Sequence, residues 1–247
     1  MVLAATRRAV YSGGVNEADT DILQHLRNAD LFAGLDGALL PWIASRARLR
    51  QVPRGAQLFH QGDRNLRAHL CLRGWVRISQ TGADGNELVL RFISPGHIFG
   101  TVALFTDERH PADARAASDV VEASWSRAEL LQLLHQHPAI AINAIRIIGE
   151  RLQQVQIRLR ASVSQSASQR LAQTLLTLAR QSGMAAATQW RIPFPLRRKD
   201  VADVAGTTIY TASRTLRNWE RAGIIAAERR FLTIANRPAL ERMGQAE

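Results

Sequence analysis

The sequence predicts an α+β chain of two domains joined by a long helix, on three observations. Between Gln51 and Trp125, short apolar-rich runs alternate with Gly and Pro, the texture of a small antiparallel barrel or sandwich. From Ile145 to Leu159, apolar residues follow a 3-4 spacing that marks a long helix with one narrow seam. The last third is basic, and its turn and cap residues divide it into short helices. The length agrees, because 247 residues exceed one typical domain of about 100–150 and suit two.

The elements follow in order. Residues 1–20 hold Ser12-Gly13-Gly14 and little periodicity, so a mobile leader is expected there. Ile22, Leu26, Leu39, Leu40 and Ile43 recur at helical spacing, with Gly34 and Gly37 interrupting, and predict short helices that open a domain over 21–137. Strands are expected at Ala56–Phe59, Ala68–Leu72, Trp75–Ser79, Leu88–Ile93 and Val120–Trp125. Between them lie Gln61-Gly62-Asp63, Arg73-Gly74, Asp84-Gly85-Asn86 and Pro95-Gly96, which suit tight antiparallel connections.

Ser126-Arg127-Ala128-Glu129 is a capping box: hydroxyl and carboxylate can each satisfy a free backbone donor of the other's residue. The helix it opens should end near His137. Pro138 then suits the first turn of a long helix over 138–165. Its seam is Ile145, Ile148, Leu152, Val155 and Leu159, with Arg and Gln elsewhere; so narrow a seam is typical of a helix paired with its twin, so a homodimer is expected. A polar break from Ser162 to Ser168 follows. A helix through Leu171, Leu175, Leu176 and Leu178, closed by Gly183, opens a second domain over 166–247.

Net charge is +11, and residues 166–247 hold thirteen Lys/Arg against six Asp/Glu, so a polyanion is the natural partner. No apolar run approaches the roughly 20 residues needed to span a bilayer, and no signal segment is visible, so a cytoplasmic chain is expected. One cysteine, Cys71, can form neither an internal disulfide nor an iron–sulfur site; packing in a strand is its expected role.

Residues 196–225 read as two short helices with a tight turn. Val201, Val204 and Ala205 line the first, Gly206 permits the turn, Thr207 or Thr208 caps the second, and Ala212, Leu216 and Trp219 face the core. Tyr210, Ser213, Arg214 and Arg217 are left outward, the chemistry of a helix that enters a major groove of double-stranded DNA. Arg198, Thr208 and Thr211 complete the candidate DNA-contacting set. Ala226–Ile234, with Glu228-Arg229-Arg230 inside it, would form a β-hairpin wing.

Over about residues 28–240 the chain resembles the Crp/Fnr family of bacterial transcription regulators. Leu31-Phe32-Ala33-Gly34-Leu35, Pro53-Arg54-Gly55, Gln61-Gly62-Asp63, Leu72-Arg73-Gly74-Trp75-Val76-Arg77-Ile78 and Ser94-Pro95-Gly96-His97-Ile98-Phe99-Gly100 match in order. The resemblance implies an antiparallel, jelly-roll-like β-roll sensor of the cyclic-nucleotide-binding type, a dimerisation helix, a winged helix-turn-helix and RNA polymerase as a further partner. Ser213 and Arg214 match the Fnr-like pattern and imply thymine and guanine contacts in a TTG-like half-site. Tyr210 departs from it, standing where Glu is usual.

The effector cassette of cyclic-nucleotide binders corresponds here to Gly100-Thr101-Val102 and His110-Pro111. Thr101 replaces the family's Glu, His110 its Arg and Pro111 its Ser, so the ribose acceptor, the bidentate phosphate contact and a hydroxyl are all missing. Cyclic AMP binding is therefore not expected. Gly206 to Leu216, with Trp219-Glu220, is similar to the branch containing nitric-oxide-responsive regulators of denitrification, some of which use haem; the seven histidines leave haem open as an alternative. The other alternative, a cyclic-nucleotide-binding module acting on a partner protein, leaves the basic C-terminal third unexplained. No nucleotide-binding loop, metal-ligand spacing or nucleophile elbow asks for catalysis.

Overall fold

The computed structural model describes residues 17–106, 108–182, 190–229 and 231–245. Of the expected leader, residues 1–16 lie outside the described residues, as does Gly183; a helix already begins at Glu17, short of the expected boundary.

Helices α1 (Glu17–Asn28) and α2 (Leu40–Ser45) precede eight strands: β1 (Arg48–Val52), β2 (Gln57–Phe59), β3 (Arg67–Arg73), β4 (Val76–Thr81), β5 (Glu87–Ile93), β6 (Ile98–Phe99), β7 (Asp113–Ala116) and β8 (Val120–Ser126). A one-turn α3 (Val102–Phe105) separates β6 from β7. The strands form two four-stranded antiparallel sheets, β1-β8-β3-β6 and β2-β7-β4-β5, packed as a β-roll. All five expected strands are present; β1, β6 and β7 are additional. The turn at Gly74 needs glycine twice over, since φ is +85° and a Cβ there would collide with the Asp119 backbone carbonyl.

One face of the first sheet is apolar. Leu70, Ala123 and Trp125 meet α1, α2 and the helices that follow the roll; Trp125 lies edge-on to Phe32 and donates its indole N–H to the Ile43 carbonyl at 3.0 Å. The opposite face, turned into the roll, sets buried polar groups among the apolar Val52, Cys71, Phe99 and Val120. Glu122 opposes Arg50 and Cys71 across the ladder, and a two-residue step along β3 brings His69 to the same face. The Glu122 carboxylate, 1% exposed, meets Arg50 Nε at 2.7 Å and His69 Nδ1 at 2.8 Å. Burial pushes its pKa up, but His69 and then Arg50 outweigh burial and hold it below the usual carboxylate range.

Helix α4 (Arg127–Gln136) opens on the expected capping box: the Ser126 hydroxyl accepts from Glu129 N at 3.3 Å, and Glu129 accepts from Ser126 N at 2.6 Å. Helix α5 (Pro138–Ser164) follows. It runs three residues into the expected polar break, and α6 (Ala167–Gln181) restarts after Ser166, which forms a second capping box with Gln169. The break is thus two residues rather than seven.

The C-terminal domain adds β9 (Trp190–Arg191), α7 (Arg198–Val204), α8 (Ile209–Arg221), β10 (Ile225–Glu228), β11 (Phe231–Ile234) and α9 (Arg237–Gly244), with the strands in the order β10-β11-β9. Its core extends into the roll. Phe194 is fully buried, its ring 4.8 Å from Trp75 and 4.6 Å from Phe92. Beside this stack, Arg77 binds Glu87 through two nitrogens, at 2.6 and 2.9 Å, and faces buried Asp200 of α7 at 3.4 Å, without hydrogen-bond geometry on that side. Lys199 donates to the Glu87 carbonyl at 2.6 Å, and Val89 N donates to Asp203 at 3.1 Å.

The hydrogen bonds from Arg77 bring the Glu87 carboxyl down to about 2 from 4.5, with Ser79 helping and burial opposing. A depressed carboxyl stabilises the fold above its unfolded pKa and loses that contribution as pH falls through its folded pKa. Urea midpoints should therefore fall more steeply between pH 4.5 and about 2 in the wild type than in Glu87→Gln; parallel curves would remove this link from the domain contact.

Candidate functional site

Two regions carry the chemistry, α8 with its surroundings and the interior and flank of the roll. In the first, α7 and α8 are joined through Gly206, whose φ of +62° ends α7. Thr208, rather than Thr207, is the cap: its Oγ1 accepts from Thr211 N at 3.2 Å. Ala212, Leu216 and Trp219 are buried as expected, which turns the opposite face outward. Tyr210 is 84% exposed, Arg214 and Arg217 are exposed, and Ser213 and Thr211 are half-buried beside them. A helix with its N-terminal half presented in this way can offer a guanidinium fork and the hydroxyl-bearing side chains of Tyr210, Thr211 and Ser213 to base edges.

Arg198 is the member of the set that the structure places differently. Its guanidinium reaches Glu220 at 3.1 and 3.3 Å and the Ser213 carbonyl at 3.4 Å, so it ties α7 to α8 and is engaged within the domain. Sequence reasoning missed Arg170 of α6, which donates to the Ala205 and Gly206 carbonyls at 2.9 and 3.0 Å and so holds the turn itself. The wing is present as β10 and β11, paired from Ile225↔Ile234 to Glu228↔Phe231. Arg229 sits at its tip with φ +47°, and Arg230 lies outside the described residues.

The seam of α5 is intact and uncovered. Ile145 is 70% exposed and Leu159 68%, with Ile148, Leu152 and Val155 all above half, and Ile142 and Val163 continue the stripe. The opposite face packs on the first domain, where Asn143 donates to the Leu31 and Ala33 carbonyls of the turn between α1 and α2 at 3.1 and 2.8 Å. An apolar stripe of this length left in water marks an interaction surface.

At the effector cassette, Gly100 closes against His69 and the Arg67 carbonyl, where a Cβ would not fit, while Val102 is half-exposed on α3. Thr101 caps α3 without a side-chain hydrogen bond. His110 is buried with its ring stacked 3.8 Å from Phe59 at 14°, and neither ring nitrogen has a hydrogen-bond partner. Burial and then His69 lower its pKa, so it is neutral at pH 7. Pro111 is exposed and offers only its carbonyl, which accepts from Gln80 at 3.1 Å. Arg109 is exposed, and Arg115 is bonded to Gln57 at 3.1 Å.

His69 and His110 flank Phe59, but the hollow beside His69 and Phe59 is about 80 Å3, far below the roughly 300–1,000 Å3 of cofactor sites. This pair does not fit a haem. Cys71 is fully buried, and burial, then Glu122, pushes its thiol up to about 12, so it is a packing residue. Among the described residues no helix is long and apolar enough to cross a membrane.

Residues 49–137 match the cyclic nucleotide-binding domain and residues 169–243 the Crp-like helix-turn-helix domain. The chain is 29% identical over 200 residues to the cyclic AMP receptor protein of Thermus thermophilus, covering 81% of this chain and 89% of that one. It is 24% identical over 217 residues to a CRP-like cAMP-activated global transcriptional regulator of Mycobacterium tuberculosis, covering 88% and 97%. FixK2 from Bradyrhizobium japonicum shares the fold, with a TM-score of 0.69 at 22% identity over 81% of this chain and 98% of that one. With both domains matched in order, and with relatives that are transcription regulators along most of their length, the chain belongs to the Crp/Fnr family of transcription regulators.

Proposed function

We propose that the chain acts as a homodimer that reads an inverted-repeat operator with TTG-like half-sites, and that its roll answers to something other than cyclic AMP. The carrying observation is α8. Its cap, buried apolar base and exposed Tyr210, Arg214 and Arg217 form one surface. The α5 seam supports pairing, because two such stripes would cover each other and bring two α8 helices to successive half-sites. Such a regulator works on DNA in the cytoplasm, with RNA polymerase as its further partner, and nothing in its site calls for catalysis.

Several relatives are named for cyclic AMP, so the cassette decides whether that property carries over. A cyclic phosphate needs a cation and hydrogen-bond donors. Here a neutral ring lies packed on Phe59, followed by a proline, and a threonine stands where ribose would meet a carboxylate.

Three measurements test this reading. Arg214→Ala should fold normally yet lose about 1–3 kcal/mol of discrimination per half-site; a band-shift competition in which it still prefers a TTG inverted repeat over random DNA as strongly as wild type would refute the base-reading role. Leu152→Glu places two like charges across the dimer axis and should give monomers in sedimentation, whereas an unchanged dimer would move the interface elsewhere. Calorimetric titration with cyclic AMP should show no tight binding; tight binding coupled to higher operator affinity would restore the nucleotide-sensor reading.

A further inference from the structure

The fold leaves two large apolar side chains of the second domain in water. Among the described residues of that domain, the exposed large apolar side chains are Ile209, at 44%, and Tyr210, at 84%, neighbours on the first turn of α8. Neither caps the helix. Thr208 does so, accepting from Thr211 N at 3.2 Å and donating to the Thr211 hydroxyl at 3.1 Å, and this sets the turn without the two side chains between them. Nor does either fill the core. Ile209 stands at the N-terminal end of the column of Ala212, Leu216 and Trp219, which are buried, and projects beyond what covers them.

With 3.6 residues per turn, Ile209 stacks with Ser213 and Tyr210 with Arg214, each pair four residues apart. Arg214 is exposed and Ser213 half-buried, so the apolar pair continues the surface assigned above to base reading. One helical turn advances about 5.4 Å and one base step about 3.4 Å, so with Arg214 on a guanine the apolar pair lies about one to two steps away.

A major groove presents donors, acceptors and one apolar group, the C5-methyl of thymine. Uracil and cytosine lack that methyl, and 5-methylcytosine carries it. An aliphatic chain and a phenol ring, set side by side in water, match a methyl and gain by covering it. We propose that Ile209 and Tyr210 are specificity-determining residues for C5-methylated pyrimidines beside the guanine of Arg214. Ile209 covers the methyl of the pyrimidine whose C4 substituent Ser213 meets, and the Tyr210 ring covers that of its neighbour. The Ser213 hydroxyl both donates and accepts, so it suits the O4 of thymine and the amino group of 5-methylcytosine alike. Such reading rests on the base-contacting role proposed for α8. It makes operator affinity depend on C5, including methylation of a cytosine placed there.

Selection by the full-length protein from a pool of random duplexes names the half-site. Thymine is expected within about two base pairs of the guanine. In band shifts at about 0.15 M ionic strength, deoxyuridine in place of those thymines removes methyl groups alone and should weaken binding about fourfold per methyl, the effect of one buried carbon. Ile209→Ala and Tyr210→Ala should melt with wild type, since both side chains are exposed, and each should show a smaller thymine-to-deoxyuridine ratio. Arg217→Ala, on the same helix, should bind more weakly with the ratio kept. Cytosine in place of the thymines should weaken binding, and methylating it at C5 should recover about fourfold per methyl. An enriched half-site without thymine there, equal binding of thymine and deoxyuridine operators, a ratio unchanged in both alanine variants, or one lost equally in Arg217→Ala would overturn the methyl reader. A lower melting temperature in the alanine variants would overturn the claim that these side chains are idle in the fold, and no recovery with 5-methylcytosine the extension to cytosine methylation. A pool that yields no enriched sequence would instead sink the base-reading role of α8 itself.

Discussion

Everything distinctive in this architecture depends on Phe194 packing against Trp75 and Phe92 across the domain boundary. Each ring is more than nine-tenths buried, and the core of the second domain therefore includes residues of the first. A contact of this kind is worth far more than the surface ion pairs around it, because aromatic burial is large and exposed pairs contribute about 0–1 kcal/mol. It also fixes position: β4 and β5 carry Trp75's neighbours and Phe92, α7 carries Asp200, and Arg77 lies between them. The helix-turn-helix is seated on β4 and β5 of the roll, through Arg77 to Asp200, Lys199 to Glu87 and Val89 to Asp203.

The long helix brings a second constraint. Its two faces have opposite needs: one is hydrogen-bonded and packed against the roll, the other is an apolar stripe with nothing on it in the single chain. The helix thus has a roll-facing side and an uncovered apolar side, and Arg151 and Arg158, which donate to the Ile98 and Leu90 carbonyls of the roll, lie at the border between them.

The sequence made the periodic elements legible and hid those defined by distant partners. Strands rich in Val, Ile and Phe, the Ser126 capping box, the seam and the two helices around Gly206 each carry a local signal, and each is present. β1, Arg-Leu-Arg-Gln-Val, and β7, Asp-Ala-Arg-Ala, do not read as strands, because their residues have weak strand preference and charged side chains where alternation would call for apolar ones. β1 is explained only by Glu122, 72 residues away, which gives Arg50 a reason to face inward. Arg198 could not be told from Arg214 or Arg217, since its partner Glu220 lies one helix on and every cation on an outward face reads alike. Arg91 was a strand residue with nothing to mark it, until α5 placed two more guanidiniums beside it.

Charge is unevenly compensated inside the first domain. At the cassette the protein has placed a ring that burial keeps neutral, stacked on Phe59, so the location where a cyclic phosphate would need a cation holds none. Deeper in the roll, Glu122 is already matched by His69 and Arg50, and this set is closed on itself. Among the described residues, Arg91 of β5 has neither a hydrogen-bond nor a carboxylate partner, and Arg151 and Arg158 of α5 lie beside it. Uncompensated positive charge thus lies away from the cassette, at the border where the roll, the long helix and the helix-turn-helix meet. At that border Gly206 and Ala205 form both a wall of the cavity between β5, α5 and the second domain and the turn from which α8 starts, so the roll-facing side of α5 and the base of α8 share one boundary.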